Sequence, residues 1–241
     1  MTKPIYVIPD IHGQIAMLDE ALLRIEGDGG ADAQIVFLGD YVDRGPDSRG
    51  VIDRLSAGQA EGRDWITLRG NHDQMFLDFL TTGTIKSDRF SNLDYTWLHD
   101  RLGGTETLTS YGVTASLGAS NHATARAAVP DAHVEWLRNL PHYHLTPEIL
   151  FVHAGIIPDL PIEHQPVEEL IWIRGPFLDH PAPHPWLVVH GHTALRRPQH
   201  FGNRIDLDGG AGWGRPLWPA VLEGRDCWLL TAAGRQPLPP P

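Results

Sequence analysis

An α/β fold is expected from three features of this sequence. Short apolar runs alternate with segments of helical period as far as Leu80. Strand-like runs return at Ile149, and the last of them are closely spaced and separated by glycine-rich turns. Strand–helix alternation implies parallel pairing through right-handed crossovers, whereas close spacing across turn residues implies antiparallel hairpins.

Ile5–Ile8 reads as the first strand, bounded by Pro4 and Pro9. Gln14–Ile25 comes next as a helix with Ile15, Leu18, Leu22 and Ile25 on one face. Ile35–Leu38 is the second strand. Asp47 and Ser48 stand where a helix N-cap belongs, ahead of Val51, Ile52 and Leu55. Trp65–Leu68 is the third strand and Gln74–Leu80 the next helix. Between 84 and 140 the pattern changes: Trp97, Leu98, Leu102, Leu108, Tyr111, Val134, Trp136, Leu137 and Leu140 suggest several short helices and no clear strand, hence a helical insertion or cap. Further strands are expected at Ile149–Val152, Trp186–Val189, Arg204–Leu207, Trp218–Leu222 and Cys227–Leu230. Residues 236–241 are mostly proline and should be frayed or polyproline II. A chain of 241 residues suits one domain, taken as 1–235.

A net charge of −11 argues against nucleic acid or an anionic membrane as partner, since either would be repelled. The one cysteine, Cys227, rules out an intrachain disulfide framework and a Cys-based zinc ribbon. No apolar run has the length of a signal-peptide core or a membrane span, so a cytoplasmic setting is expected.

The residues just past the strand ends are more informative. After the first strand comes Pro9-Asp10-Ile11-His12-Gly13; after the second, Gly39-Asp40-Tyr41-Val42-Asp43-Arg44-Gly45; after the third, Arg69-Gly70-Asn71-His72-Asp73. His153-Ala154-Gly155 and His190-Gly191-His192-Thr193 come after two later strands. Taken alone, Asp10-Ile11-His12-Gly13 reads equally well as a turn with a helix cap, and residues 39–45 and His153 read more simply as turn chemistry with a surface ion pair and as a structural histidine. Together they put Asp, His and Asn at five strand ends, and the carboxyl edge of an open α/β sheet is where ligands bind. Such a set suits two-metal hydrolysis, in which cations about 3.5–4 Å apart clamp the attacking and departing oxygens at phosphorus. Mixed nitrogen and oxygen donors favour Mn, Fe or Zn over Mg or Ca.

The ordered set PDIHG, GDYVDRG, GNHD, HAG and GHT resembles the signature of the phosphoprotein phosphatase family of calcineurin-like metallophosphoesterases. GNHDQM (70–75), GGTETLTSYG (103–112), IWIR (171–174) and IDLDGGAGWG (205–214) resemble its bacterial and lambda-phage serine/threonine phosphatase branch. The resemblance runs from about residue 5 to 222. It implies the metallophosphoesterase fold, a central β-sandwich of mixed sheets flanked by α-helices. It also implies two divalent ions, Mn²⁺ foremost with Fe or Zn as alternatives, and a metal-bridging hydroxide as nucleophile. Asp10 and His12 would bind the first metal, Asp40 would bridge, and Asn71, His153 and His192 would bind the second. His72, oriented by Asp43, would be the general acid, while Arg44, Asn71 and Arg174 would hold the phosphoryl group. The implied substrate is a phosphorylated protein or a small phosphoester. His190 should lie on the same side as His192 by strand alternation, packed or hydrogen-bonded but not a ligand.

Two positions depart from the family pattern. Pro9 replaces a glycine and fixes φ there, and Asp73 stands where glutamate is commoner, one methylene shorter. Two other readings compete: a symmetrical diadenosine tetraphosphatase of the same family, with Trp97, Tyr111 or Trp213 as adenine platforms, and a non-catalytic metal-dependent binding protein. A cysteine-based phosphatase does not fit, because Ala233 stands where a Cys-x5-Arg loop needs arginine. Asp206-Leu207-Asp208 reads as a turn after a strand.

Overall fold

A computed structural model describes residues 3–84, 96–115 and 121–241. The parts of the expected helical insertion at 85–95 and 116–120 lie outside the described residues.

Three parallel strands, β1 (Ile5–Ile8), β2 (Gln34–Phe37) and β3 (Trp65–Thr67), form one side of the first sheet. The helix α1 (Ile15–Gly29) connects β1 to β2, and α2 (Ser48–Ala60) connects β2 to β3. Asp47 caps α2 as expected, its side chain accepting the Gly50 N–H at 2.8 Å. Helix α3 (Asn71–Thr82) begins three residues earlier than its apolar periodicity suggests. Asp73, in its first turn, accepts the Gly70 N–H at 2.9 Å, so Asn71 and His72 belong to the helix rather than to a preceding loop. Three short helices, α4 (Gly104–Ser110), α5 (His122–Ala128) and α6 (Asp131–Arg138), make up most of the described insertion.

The second sheet starts with β4 (Tyr143–Leu145), too short and too polar to be read from sequence, antiparallel to β5 (Ile149–Val152). Two small helices missed by periodicity, α7 (Val167–Trp172) and α8 (Gly175–Leu178), lead to β6 (Leu187–His190). The short β7 (Gln199–His200) and β8 (Arg204–Asp206) complete the sheet in the order β4-β5-β6-β8-β7, with β5, β6 and β8 parallel. The chain then returns to the first sheet with the expected hairpin of β9 (Ala220–Glu223) and β10 (Asp226–Thr231). A further strand, β11 (Gly234–Pro237), gives the order β11-β10-β9-β1-β2-β3.

That last strand corrects the expectation for the tail. Gln236 and Pro237 pair with Leu229 and Trp228, and the Leu238 N–H donates to the Cys227 carbonyl at 2.8 Å. Proline is tolerated because β11 is an edge strand with no further neighbour to bond.

Strand alternation sorts the apolar residues into three layers. Val7, Val36, Phe151, Val189, Ile205 and Leu229 interleave between the sheets. Tyr6, Ile8, Ile35 and Phe37 face the helices of the first sheet, and Leu150, Val152 and Val188 face α7 and α8. The result is a sandwich of mixed sheets with helices on both outer faces, as the resemblance implies.

Candidate active site

All five expected clusters lie where β1, β2, β3, β5 and β6 end, and contacts across the sandwich bring them together. His153 ring Nδ1 donates to the Leu38 carbonyl at 2.9 Å, joining the end of β5 to the end of β2. Asp10, after β1, accepts the His192 N–H at 3.1 and 3.2 Å with its two oxygens. A side chain at Gly191 would collide with Asp10 Oδ1, so the close approach requires glycine there.

The backbone is contorted to achieve this. Among the described residues, His12 (φ 49°), Asp40 (54°), Asp43 (75°), Arg44 (67°), Asp159 (61°) and His192 (65°) are the non-glycine residues with positive φ. All but Asp159 belong to the expected site. Left-handed conformations are sparsely populated by side-chain-bearing residues, and such outliers gather where function over-determines geometry.

Asp40 sits at the centre, 2% exposed. One carboxylate oxygen lies 3.4 Å from His12 Nε2, the other 3.5 Å from His153 Nε2. Both imidazoles are locked in one tautomer: His12 Nδ1 donates to the Val42 carbonyl at 2.8 Å, and His153 Nδ1 to that of Leu38. Burial lowers the pKa of both, that of His153 to about 3, so each ring is neutral and presents an Nε2 lone pair toward the carboxylate. At His12 the Arg44 guanidinium, 2.6 Å from Nε2, relieves the repulsion between lone pair and carboxylate. At His153 the lone pair faces the Asp40 and Asn71 oxygens and is repelled unless a cation lies near. Histidine ligands of metals show the same backbone-anchored arrangement.

Asn71 Oδ1 lies 2.9 Å from His153 Nε2 and 2.8 Å from His192 Nδ1, so the second group of donors also converges. His12, Asp40 and His72 place one donor atom each within 4.8 Å of one another, as do Asp40, His153 and His192, with Asp40 common to both. Asp10 lies beside rather than within these triplets. Burial first, then the nearby Asp208 and Asp40, push its carboxyl well above the usual range. Asp206 and Asp208 add buried acids at the end of β8, their Oδ1 atoms accepting the Asp208 and Gly210 N–H groups at 3.1 and 2.7 Å. The expected turn is there, and it faces the site. So many buried acids with so few cationic side chains nearby form a donor set that fits divalent metal ions.

Around this centre, Arg44 reaches His12 Nε2 at 2.6 Å and His72 Nε2 at 2.9 Å, with its guanidinium 4.5 Å from the Trp213 ring centre. Arg174 lies at the rim, exposed, its Nη2 3.5 Å from the His192 carbonyl. His72 Nδ1 meets Asp43 Oδ2 at 2.6 Å. Burial pushes the Asp43 carboxyl up to about 8, opposed by hydrogen bonds from Thr107 and Trp97.

Three features add to or correct the sequence reading. Asp73 accepts the N–H groups of Asp40, Tyr41 and Gly70, each at 2.9 Å, so the aspartate reaches all three partners and fixes the loop carrying Asp40. Trp97 and Thr107, from the insertion, hold Asp43, and only the GGTETLTSYG stretch hinted at the latter. His190 corrects the alternation argument. Its ring packs edge-on against Phe177 at 5.1 Å and lies 3.3 Å from Arg204 Nη1, on the outer face of its sheet. Gly191 and the left-handed His192 end the strand's alternation, and the two histidines point to opposite faces.

This arrangement of imidazoles and carboxylates across the edge of two sheets is a candidate metal-dependent hydrolytic centre. The calcineurin-like phosphoesterase family matches residues 3–209, and the chain belongs to that family of phosphoric ester hydrolases. It is 30% identical over 231 residues to serine/threonine-protein phosphatase 1 of Salmonella typhimurium, covering 92% of this chain and 93% of that protein. It is also 30% identical over 159 residues to the symmetrical bis(5'-nucleosyl)-tetraphosphatase of Bordetella parapertussis, covering 65% of this chain and 45% of that protein. A solved structure described as a candidate diadenosine tetraphosphatase superposes with a TM-score of 0.67 at 24% identity, covering 95% of this chain and 93% of that one. A cold-active protein-tyrosine phosphatase of a psychrophilic Shewanella superposes with a TM-score of 0.65 at 17% identity, covering 99% and 81%. Both structural likenesses concern the fold. Among the described residues no helix is long and apolar enough to cross a membrane.

Proposed function

We propose that this chain is a dinuclear-metal phosphomonoester hydrolase acting on phosphoserine and phosphothreonine in proteins. The observation that carries the dinuclear reading is the single buried carboxylate of Asp40, with one oxygen toward each of two tautomer-locked imidazoles. Asp10, His12 and Asp40 hold one ion; Asp40, Asn71, His153 and His192 hold the other, Mn²⁺ being the preferred metal. When bound, such a pair polarises the phosphoryl group and acidifies water at the site. Arg44 and Arg174 orient the phosphoryl oxygens with their planar guanidinium forks. His72 keeps Nδ1–H on Asp43, and burial and then Arg44 hold its pKa well below the ordinary imidazole value. The proton that Nε2 delivers to the departing alkoxide, a poor leaving group that needs it, is therefore taken up from solvent once the phosphoryl dianion offsets Arg44.

The protein substrate is favoured by the near-complete coverage of a serine/threonine-protein phosphatase. It is favoured too by the burial of Trp97 (1% exposed) and Tyr111 (5%), which removes two of three candidate adenine platforms. The third, Trp213, is 55% exposed beside Arg44 and keeps the tetraphosphatase reading open. With Mn²⁺-loaded protein, kcat/KM for phosphoserine and phosphothreonine peptides should exceed that for diadenosine tetraphosphate. Faster release of ADP from the dinucleotide would replace this reading with the other.

A metal assay separates the two histidines of the last motif. His192→Asn should lose about one equivalent of metal per chain, while His190→Asn should keep both, having lost only a contact on the outer face. Normal metal content in the first variant would remove His192 from the ligand set.

A further inference from the structure

We propose that Trp97 and Thr107, contributed by the insertion, are positioning residues for the general acid, acting on His72 through Asp43. The inference rests on the reading of His72 as the proton donor.

Asp43 is wholly buried, and its carboxylate oxygens meet a closed set of donors. The Trp97 indole N–H donates to Oδ2 at 2.9 Å, with Oδ1 at 3.2 Å. The Thr107 hydroxyl donates to Oδ1 at 2.8 Å. Its oxygen also accepts the Asp43 backbone N–H at 2.8 Å and lies 3.0 Å from Ser48 Oγ. Thr107 therefore grips Asp43 at both backbone and side chain, holding a residue whose φ of 75° is otherwise disfavoured. An indole nitrogen can only donate, so Trp97 keeps those oxygens as acceptors. The remaining approach to Oδ2 belongs to His72 Nδ1 at 2.6 Å. With that nitrogen committed, Nε2, which faces Arg44 Nη2 at 2.9 Å, is the one ring nitrogen left to meet a leaving group.

The packing closes on itself. Trp97 is 1% exposed and lies against Phe76 (ring centres 5.1 Å apart) and Phe79 (4.8 Å) of α3, the helix whose first turn carries His72. Movement of the insertion relative to α3 would thus disturb the Asp43–His72 bond directly. Trp97 and Thr107 lie 54 and 64 residues from Asp43 in sequence, so a segment that reads as a cap is part of the acid's mounting.

The test compares esters that differ in leaving group, in metal-loaded protein. Thr107→Val keeps shape and removes the hydroxyl; Trp97→Phe removes the indole donor; Thr107→Ser retains the hydroxyl. Both removals should lower kcat for phenyl phosphate and phosphoserine peptide by roughly 10–100-fold, a part of what a general acid supplies. p-Nitrophenyl phosphate should change by less than about threefold because its phenolate leaves without protonation. KM should hold, and Thr107→Ser should recover most of the rate. Equal losses on all esters, or no recovery with serine, would show mere packing and overturn the proposal. His72→Asn runs in parallel. An equal loss on all esters there would overturn the acid reading and this proposal together, whereas a loss confined to poor leaving groups there, without one in Thr107→Val and Trp97→Phe, would overturn this proposal alone. A second readout needs no turnover: in protein loaded with diamagnetic Zn²⁺, the low-field Nδ1–H proton resonance that His72→Asn removes should shift or broaden in Thr107→Val. An unmoved resonance there overturns the proposal. Should Thr107→Val fail to fold, Trp97→Phe carries the same comparisons.

Discussion

Asp40→Asn should abolish phosphatase turnover and weaken retention of both metal ions while leaving the fold intact. The backbone at Asp40 is left-handed, a conformation asparagine adopts about as readily as aspartate, so no conformational penalty is added. The chemistry changes completely. Asparagine offers one acceptor oxygen, which the His72 N–H holds at the Oδ1 position, so its NH₂ takes the Oδ2 position and turns a donor toward His12 Nε2, now 3.4 Å from that oxygen. One imidazole is then tied up by the amide, and the negative charge shared between the positions is gone. Outer-shell substitutions at metal sites cost roughly 10–100-fold in affinity, so losing a shared ligand should cost at least that at each position. Metal content after dialysis and kcat on a phosphopeptide check both halves. Unchanged turnover would sink the bridging role.

The second large effect is selective. His72→Asn should lower kcat on a phosphoserine peptide by roughly 10²–10⁴-fold, the range a positioned general acid supplies, and far less on p-nitrophenyl phosphate. Metal content should stay normal. Asparagine preserves the Asp40 Oδ1 bond to the backbone N–H of residue 72, now 2.9 Å, so the loop geometry around the metals should survive. An equal loss on both esters, or the loss of a metal, would take the acid role from His72.

The sequence announced the site more clearly than it announced the fold's periphery, and the reasons are physical. Asp10, His12, Asp40, Asn71, His72, His153 and His192 each stand within a few residues of the end of a short apolar strand. Strand recognition and ligand recognition therefore reinforced one another. The partners of Asp43 had no such local sign. Trp97 looks like any buried aromatic and Thr107 like any helical threonine, because what distinguishes them is a contact with a residue far away in sequence. β4 escaped notice because Tyr143–Leu145 is three residues long and only partly buried, giving periodicity nothing to register. β11 escaped because proline forbids a central strand but not an edge. His190 shows the limit of alternation itself: the rule holds through β6 and fails one residue later, where glycine and a left-handed histidine turn the chain.

The five strained residues of the site also bear on how such a protein would drift if selection on its activity were relaxed. Each left-handed side-chain-bearing residue costs roughly 1–2 kcal/mol relative to a relaxed backbone. A change to glycine at His12, Asp40, Asp43, Arg44 or His192 would relieve that cost while deleting a proposed ligand, the proposed acid's partner or a proposed phosphoryl clamp. The gain is largest where no buried donor is stranded; at Asp43 it is offset by the Trp97 and Thr107 donors left without an acceptor and by the entropy glycine adds to the unfolded chain. An inactive descendant that relaxed only the sites without stranded donors would be sturdier than its parent, its robustness a relic of lost catalysis.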